Sequence, residues 1–280
     1  MRESSNPVFR SLPQQQGGYA QFGTGAAGAA RQVGYQTEPY TTRAPQAGVA
    51  RPMTIDDVVT KTGMTLGVLS VVAVISYFLV SSNVALAMPF TLVGAFGGLA
   101  LVLLATFRRK QDSPAIVLSY AALEGLFLGA FSFVLANFTV GGANAGAMIG
   151  QAILGTLGVF FGMLVVYKTG AIRVTPKFTR MLTAALIGAL VLMLGNLVIS
   201  MFGSHDGGPL RNGGTIAIIF SLVMIVIAAF SFLSDFDTAD QMIRAGAPEK
   251  AAWGVALGLT VTLVWLYTEV LRLLSYFQSD

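Results

Sequence analysis

Four carboxylates stand in or beside apolar stretches where charge is expensive. Glu124 lies in SYAALEGLFLGAF, Asp235 and Asp237 lie in FSFLSDFDTADQM, and Glu269 lies in LVWLYTEVLRLL. A carboxylate held in hydrocarbon faces a cavity, a partner or a proton. Two of them close together cannot both ionise cheaply, so such a pair shares a proton or holds a cation. A site built from oxygen donors alone suits a hard ion such as calcium. The chemistry these residues could do is therefore pH sensing and cation handling.

Each acid also has a plainer reading. Glu124 could stay protonated and hydrogen-bond across to another helix. Asp235 and Asp237 could sit among lipid headgroups at a helix end. Glu269 could pair with Arg272, three residues on and on the same helical face. His205, in GSHDGGPLRN, has no second ligand nearby and is expected in solvent, and Asn196 is expected to donate a hydrogen bond between helices. Other chemistries lack their residues. There is no cysteine and only one histidine, no Gly-rich phosphate loop with a lysine, and no HExxH helix. An enzyme is not expected, no metal site is assigned, and the sequence implies no cofactor.

The elements that must position these groups follow from composition. Of 280 residues, 54% are hydrophobic and 11% charged, and the mean hydropathy is +0.71. Soluble domains carry roughly 25% charged residues, so the solvent of this chain is largely lipid. The net charge of +4 does not indicate nucleic acid, because the basic residues form short clusters between apolar runs rather than one face.

Seven stretches are long enough to cross ~30 Å of hydrocarbon as helices of about 20 residues. They run over about 63–82, 86–107, 114–137, 146–167, 181–202, 214–234 and 252–274. Lipid leaves no backbone group unsatisfied, which makes each a helix. Glycines four apart, at Gly63/Gly67, Gly125/Gly129, Gly158/Gly162 and Gly254/Gly258, could bring helix backbones close. Residues 1–52 are rich in Gly, Gln, Ala, Pro and Ser and read as a disordered tail, with 53–280 as the membrane domain. No apolar core of a signal peptide precedes the first span.

Charge orients the bundle. The tail and its junction carry Arg2, Arg10, Arg31, Arg43, Arg51 and Lys61; the second loop carries Arg108, Arg109 and Lys110. The fourth connection carries Lys168, Arg173, Lys177 and Arg180, and the sixth Arg244 and Lys250. Of the seventeen basic residues, only Arg211 and Arg272 fall elsewhere. By the positive-inside rule the tail is cytoplasmic and the C-terminus lies outside.

The EG and LG of the third span (Glu124, Gly125, Leu128, Gly129), an aspartate at the end of the sixth and WLYTEVLRLL in the seventh resemble the Bax inhibitor-1/YccA family, in a bacterial member. The resemblance covers about residues 55–280. It implies an all-α integral membrane protein of the bacterial plasma membrane, a bundle of six helices around a central seventh. It also implies a pH-sensitive calcium leak controlled by two acids, which fall here on Asp235 and Glu269. Some bacterial members instead modulate a membrane-bound protease, a role the long tail would suit. Two departures are visible: the seventh-helix acid is Glu rather than Asp, and the acids lie 34 residues apart. If the seventh helix starts at Ala252, Glu269 lies about 25 Å along it and cannot touch an Asp235 near the membrane face. If the sixth helix continues through Gln241, the gap shrinks. Glu124 is the substitute partner.

Overall fold

The computed structural model describes residues 51–139, 145–202 and 208–278. His205 and residues 1–50 of the expected tail lie outside the described residues. Seven helices carry the chain back and forth: α1 (Ile55–Ser82), α2 (Ala87–Phe107), α3 (Pro114–Val134), α4 (Ala145–Thr169), α5 (Pro176–Phe202), α6 (Thr215–Arg244) and α7 (Ala252–Gln278). All seven are long and apolar enough to span a membrane. The end of the bundle where α1 begins is called the tail face below, and the opposite end the far face.

Several helices outrun their apolar cores. α1 starts at Ile55 rather than near 63 because Thr54 caps it: the Thr54 hydroxyl accepts from the Asp57 N–H, and the Asp57 carboxylate accepts from the Thr54 N–H. α6 continues ten residues past 234 to Arg244, carrying Asp235, Asp237 and Asp240. Helical turns in the headgroup region need no apolar side chains, so hydropathy alone underestimates them.

α7 is the centre. Buried residues make up 61% of its apolar window, against 17% for α2 and for α5, and it packs on α1, α3, α4 and α6. α2 leans on α3, and α5 on α6. The expected seven-helix bundle with a central seventh is the observed architecture. On the α4–α6 side, Phe160 meets Phe232 and Phe236 edge-on with ring centroids 5.3 and 5.5 Å apart.

Of the four glycine pairs, one does the work expected of all. A Cβ on Gly125 would lie 2.6 Å from the Leu69 carbonyl oxygen, and one on Gly129 would collide with the Ala73 carbonyl, so both let α3 close on α1. Gly63, Gly67, Gly158, Gly162 and Gly258 have nothing within 4 Å of such a Cβ. All but the half-buried Gly258 are exposed, and the close-approach expectation for those pairs is corrected. Gly94 and Gly98 of α2, which were not singled out, perform that task against α3.

At the tail face the segment before α1 is stitched to the α6–α7 turn. The Met53 N–H donates to Ala247 at 2.8 Å and the Glu249 N–H to Arg51 at 2.9 Å, around an antiparallel bridge between Pro52 and Pro248. Lys61, counted above with the tail, is buried within α1; its ammonium donates to the Glu249 carbonyl at 2.7 Å and lies 5.9 Å from the Trp253 ring centre. Lys250 pairs with Asp112 of the α2–α3 turn at 2.9 Å.

Candidate functional site

Geometry separates the acids that the resemblance joins. Asp235 lies nine residues before the tail-face end of α6, about 14 Å deep, and Thr262 ten residues into α7, about 15 Å. At that shared level the Thr262 hydroxyl donates to Asp235 Oδ2 at 2.7 Å. Glu124, ten residues into α3, occupies the same depth. It is 8% exposed, its polar neighbour is Tyr120 one turn earlier, and its Oε1 would lie 2.5 Å from a Cβ on Gly98. That glycine lets α2 pass over the carboxylate.

Glu269 sits elsewhere. Seventeen residues into α7, it lies about 25 Å from the tail face and is 2% exposed. Arg211, from the connection before α6, holds it with two parallel hydrogen bonds of 2.9 and 2.7 Å. The fork geometry of guanidinium against carboxylate fits the strongest kind of ion pair. Arg211 is fixed further by the Phe220 ring, 5.3 Å from its Cζ, and its carbonyl accepts from the Tyr276 hydroxyl at 3.4 Å. Thr262, Glu269 and Tyr276 repeat every seven residues, so they form one stripe along α7.

This arrangement answers one open question and corrects one expectation. Asp235 and Glu269 are not in contact: α6 extends through Gln241 while α7 begins at Ala252, and Asp235 meets α7 at Thr262, two turns before Glu269. The partner of Glu269 is Arg211, not Arg272. Arg272 lies over the Phe131 ring at 5.3 Å, and its buried Nε has no hydrogen-bond partner among the described residues. Asn196, expected to donate between helices, also accepts from the Leu210 N–H at 2.9 Å and so shapes the connection that delivers Arg211. Asp237 stands apart from Asp235, since two residues rotate a helix by about 200°. It accepts from Gln241 at 2.6 Å and faces Tyr167 of α4, in a surface group with Asp240 and Arg244.

Sequence reasoning missed Thr262 and the role of Arg211. The signal for Arg211 was present: it was the one basic residue in a far-side connection, and a buried acid near that side needs a cation. Thr262 gave no such signal, since a threonine in an apolar helix is ordinary.

Six apolar spans around a buried seventh helix, with carboxylates lodged inside the bundle, define a multi-pass membrane protein. The family model described as "Bax inhibitor 1 like" matches residues 6–279, and the chain belongs to that family. The match begins within the tail, so the likeness is not confined to residues 55–280. A protein of Chlamydia muridarum (strain MoPn / Nigg), named only as uncharacterized, is 35% identical over 97 residues. That stretch is 34% of this chain and 38% of the relative, so the match spans about two-fifths of the relative's length.

Proposed function

We propose that the protein is a proton-sensitive cation leak, with calcium as the transported ion, in the bacterial plasma membrane. The observation that carries this reading is that two acids about 14–15 Å from the tail-face ends of their helices, Asp235 and Glu124, lack a counter-charge. Among the described residues neither has a Lys or Arg within ion-pair distance. A carboxylate left so on a membrane-spanning helix takes up a proton or a cation. The oxygens of Asp235 with Thr262, and separately those of Glu124, are of the kind that suits calcium, and a few weak ligands allow an ion to leave as well as enter. Protonation removes the attraction. The Arg211–Glu269 pair, one positive and one negative group neutralising each other, closes the far end of the same stripe. The basic residues of the tail face support a cytoplasmic position for that face.

Calcium entry into liposomes of purified protein, followed with an internal indicator, tests the proposal. The apparent calcium affinity should fall as pH drops between about 8 and 6, because protons compete with calcium for the carboxylates. Absence of flux at every pH sinks it, and favours a docking protein acting on a membrane-bound protease.

A further inference from the structure

A cavity of about 520 Å³ lies between α1, α3, α4 and α7. That is within the range of small-molecule sites, roughly 300–1,000 Å³. Its floor is buried and apolar: Leu69, Leu128, Leu263 and Val264 are 6–8% exposed. Its mouth is exposed, with Val74 at 55% and Phe78 at 66% on α1 facing Ile153 at 46% on α4. These residues belong to the membrane-spanning lengths of their helices, so the mouth opens sideways onto the bilayer rather than onto water. The α1 residues lie in the far half of that helix, and the α4 residues in the half that begins at the far face.

The walls decide what can fill it. An apolar cavity does not hold water, and left empty it forfeits the dispersion contacts of its lining. Three of the hydroxyls that line it are engaged with one another or with backbone, while those of Ser70 and Tyr77 belong to α1. Ser132 and Tyr267 bond each other at 2.8 Å, and Thr156 donates to the Ala152 carbonyl at 2.8 Å. No polar headgroup would find a partner on the floor, while a methylene chain needs none. We infer that this cavity is a binding site for one acyl chain of a phospholipid in the far-face leaflet, entering between α1 and α4. The cavity is continuous with the lipid-covered surface, so the chain enters without its headgroup leaving the interface. A methylene chain leaving bulk lipid for the cavity gains no hydrophobic transfer energy, so exchange is driven by fit alone. Selectivity therefore comes from chain shape.

The test uses the full-length protein in nanodiscs containing phosphatidylcholine with a diazirine near the end of one acyl chain. After irradiation, adducts are mapped by mass spectrometry. Adducts on α1 and α4 residues of the mouth should exceed those on the exposed face of α5 by roughly threefold or more, a preference of about 0.7 kcal/mol. Gly146→Phe should abolish the excess, because a Cβ there meets nothing within 4 Å and the ring enters the cavity. Gly188→Phe, on the open face of α5, should leave it unchanged. If Gly146→Phe does not fold, Ile153→Trp at the mouth replaces it. Equal labelling of both regions overturns the inference, as does an excess that the filling variant leaves intact. Labelling by a photoactivatable free fatty acid but not by the phospholipid overturns the phospholipid source.

Discussion

Asp235 meets the stripe of α7 that carries Glu269, yet the contacts of the two acids lie two turns apart and are of opposite kinds. Asp235 receives a neutral hydroxyl from Thr262, whereas Glu269 receives a guanidinium from Arg211. One acid is left to titrate against a weak partner, and the other is neutralised in place. The two should answer mutation differently.

Asp235→Asn keeps size and hydrogen-bonding capacity but removes the titration. It should flatten the pH dependence of calcium flux in liposomes over about pH 6 to 8 while leaving the thermal unfolding of the detergent-solubilised protein near wild type. Glu124→Gln should produce a comparable or smaller flattening. If both variants titrate like wild type, these carboxylates do not control the flux.

Removing one side of the Arg211–Glu269 pair leaves a buried charge without compensation, a loss of about 3–5 kcal/mol. Arg211→Leu and Glu269→Leu should each lower Tm sharply, and the double variant should recover most of the loss. A double variant as unstable as the two losses added would show that the pair is not coupled.

Lys250, hydrogen-bonded to Asp112, holds that carboxyl below the ordinary carboxylate range. A depressed folded-state value means that the contact stabilises above the unfolded value, near 4, and is lost as pH falls through the lower folded value. Both groups are partly exposed, so a double-mutant cycle of Asp112→Asn with Lys250→Met should give about 0.2–1 kcal/mol at neutral pH. The same cycle at pH 2 should give a coupling close to zero.

Gly129→Ala should cost about 1–3 kcal/mol, because its Cβ would strike the Ala73 backbone of α1 and the helices must part. Gly63→Ala should be silent, having open space. Equal effects from both, in unfolding of the purified protein, would contradict the assigned α1–α3 contact.

The chain contains no cysteine, so single-cysteine labelling is clean. In intact cells an impermeant maleimide should modify cysteine at Asn212 and leave cysteine at Lys110 unmodified. The reverse pattern would invert the proposed orientation.

The bundle was legible because each span must satisfy its own backbone and cover itself with apolar side chains, a signal that local sequence carries. Glu124 and Glu269 were legible for the related reason that an acid in such a run stands out. The partner of Glu269 was signalled only by its side of the membrane, and that of Asp235 not at all. Arg211 reaches Glu269 across 58 positions, and Thr262 reaches Asp235 across 27; neither spacing has a local period. The four glycine pairs looked alike in sequence, and only the packing of α3 against α1 distinguishes Gly125 and Gly129.

The stitch between residues 51–53 and residues 247–249 gives the N-terminal arm mechanical leverage. Tension applied to that arm is borne by the hairpin joining α6 to α7 before it reaches α1. Those are the two helices that bring Asp235 and Thr262 together.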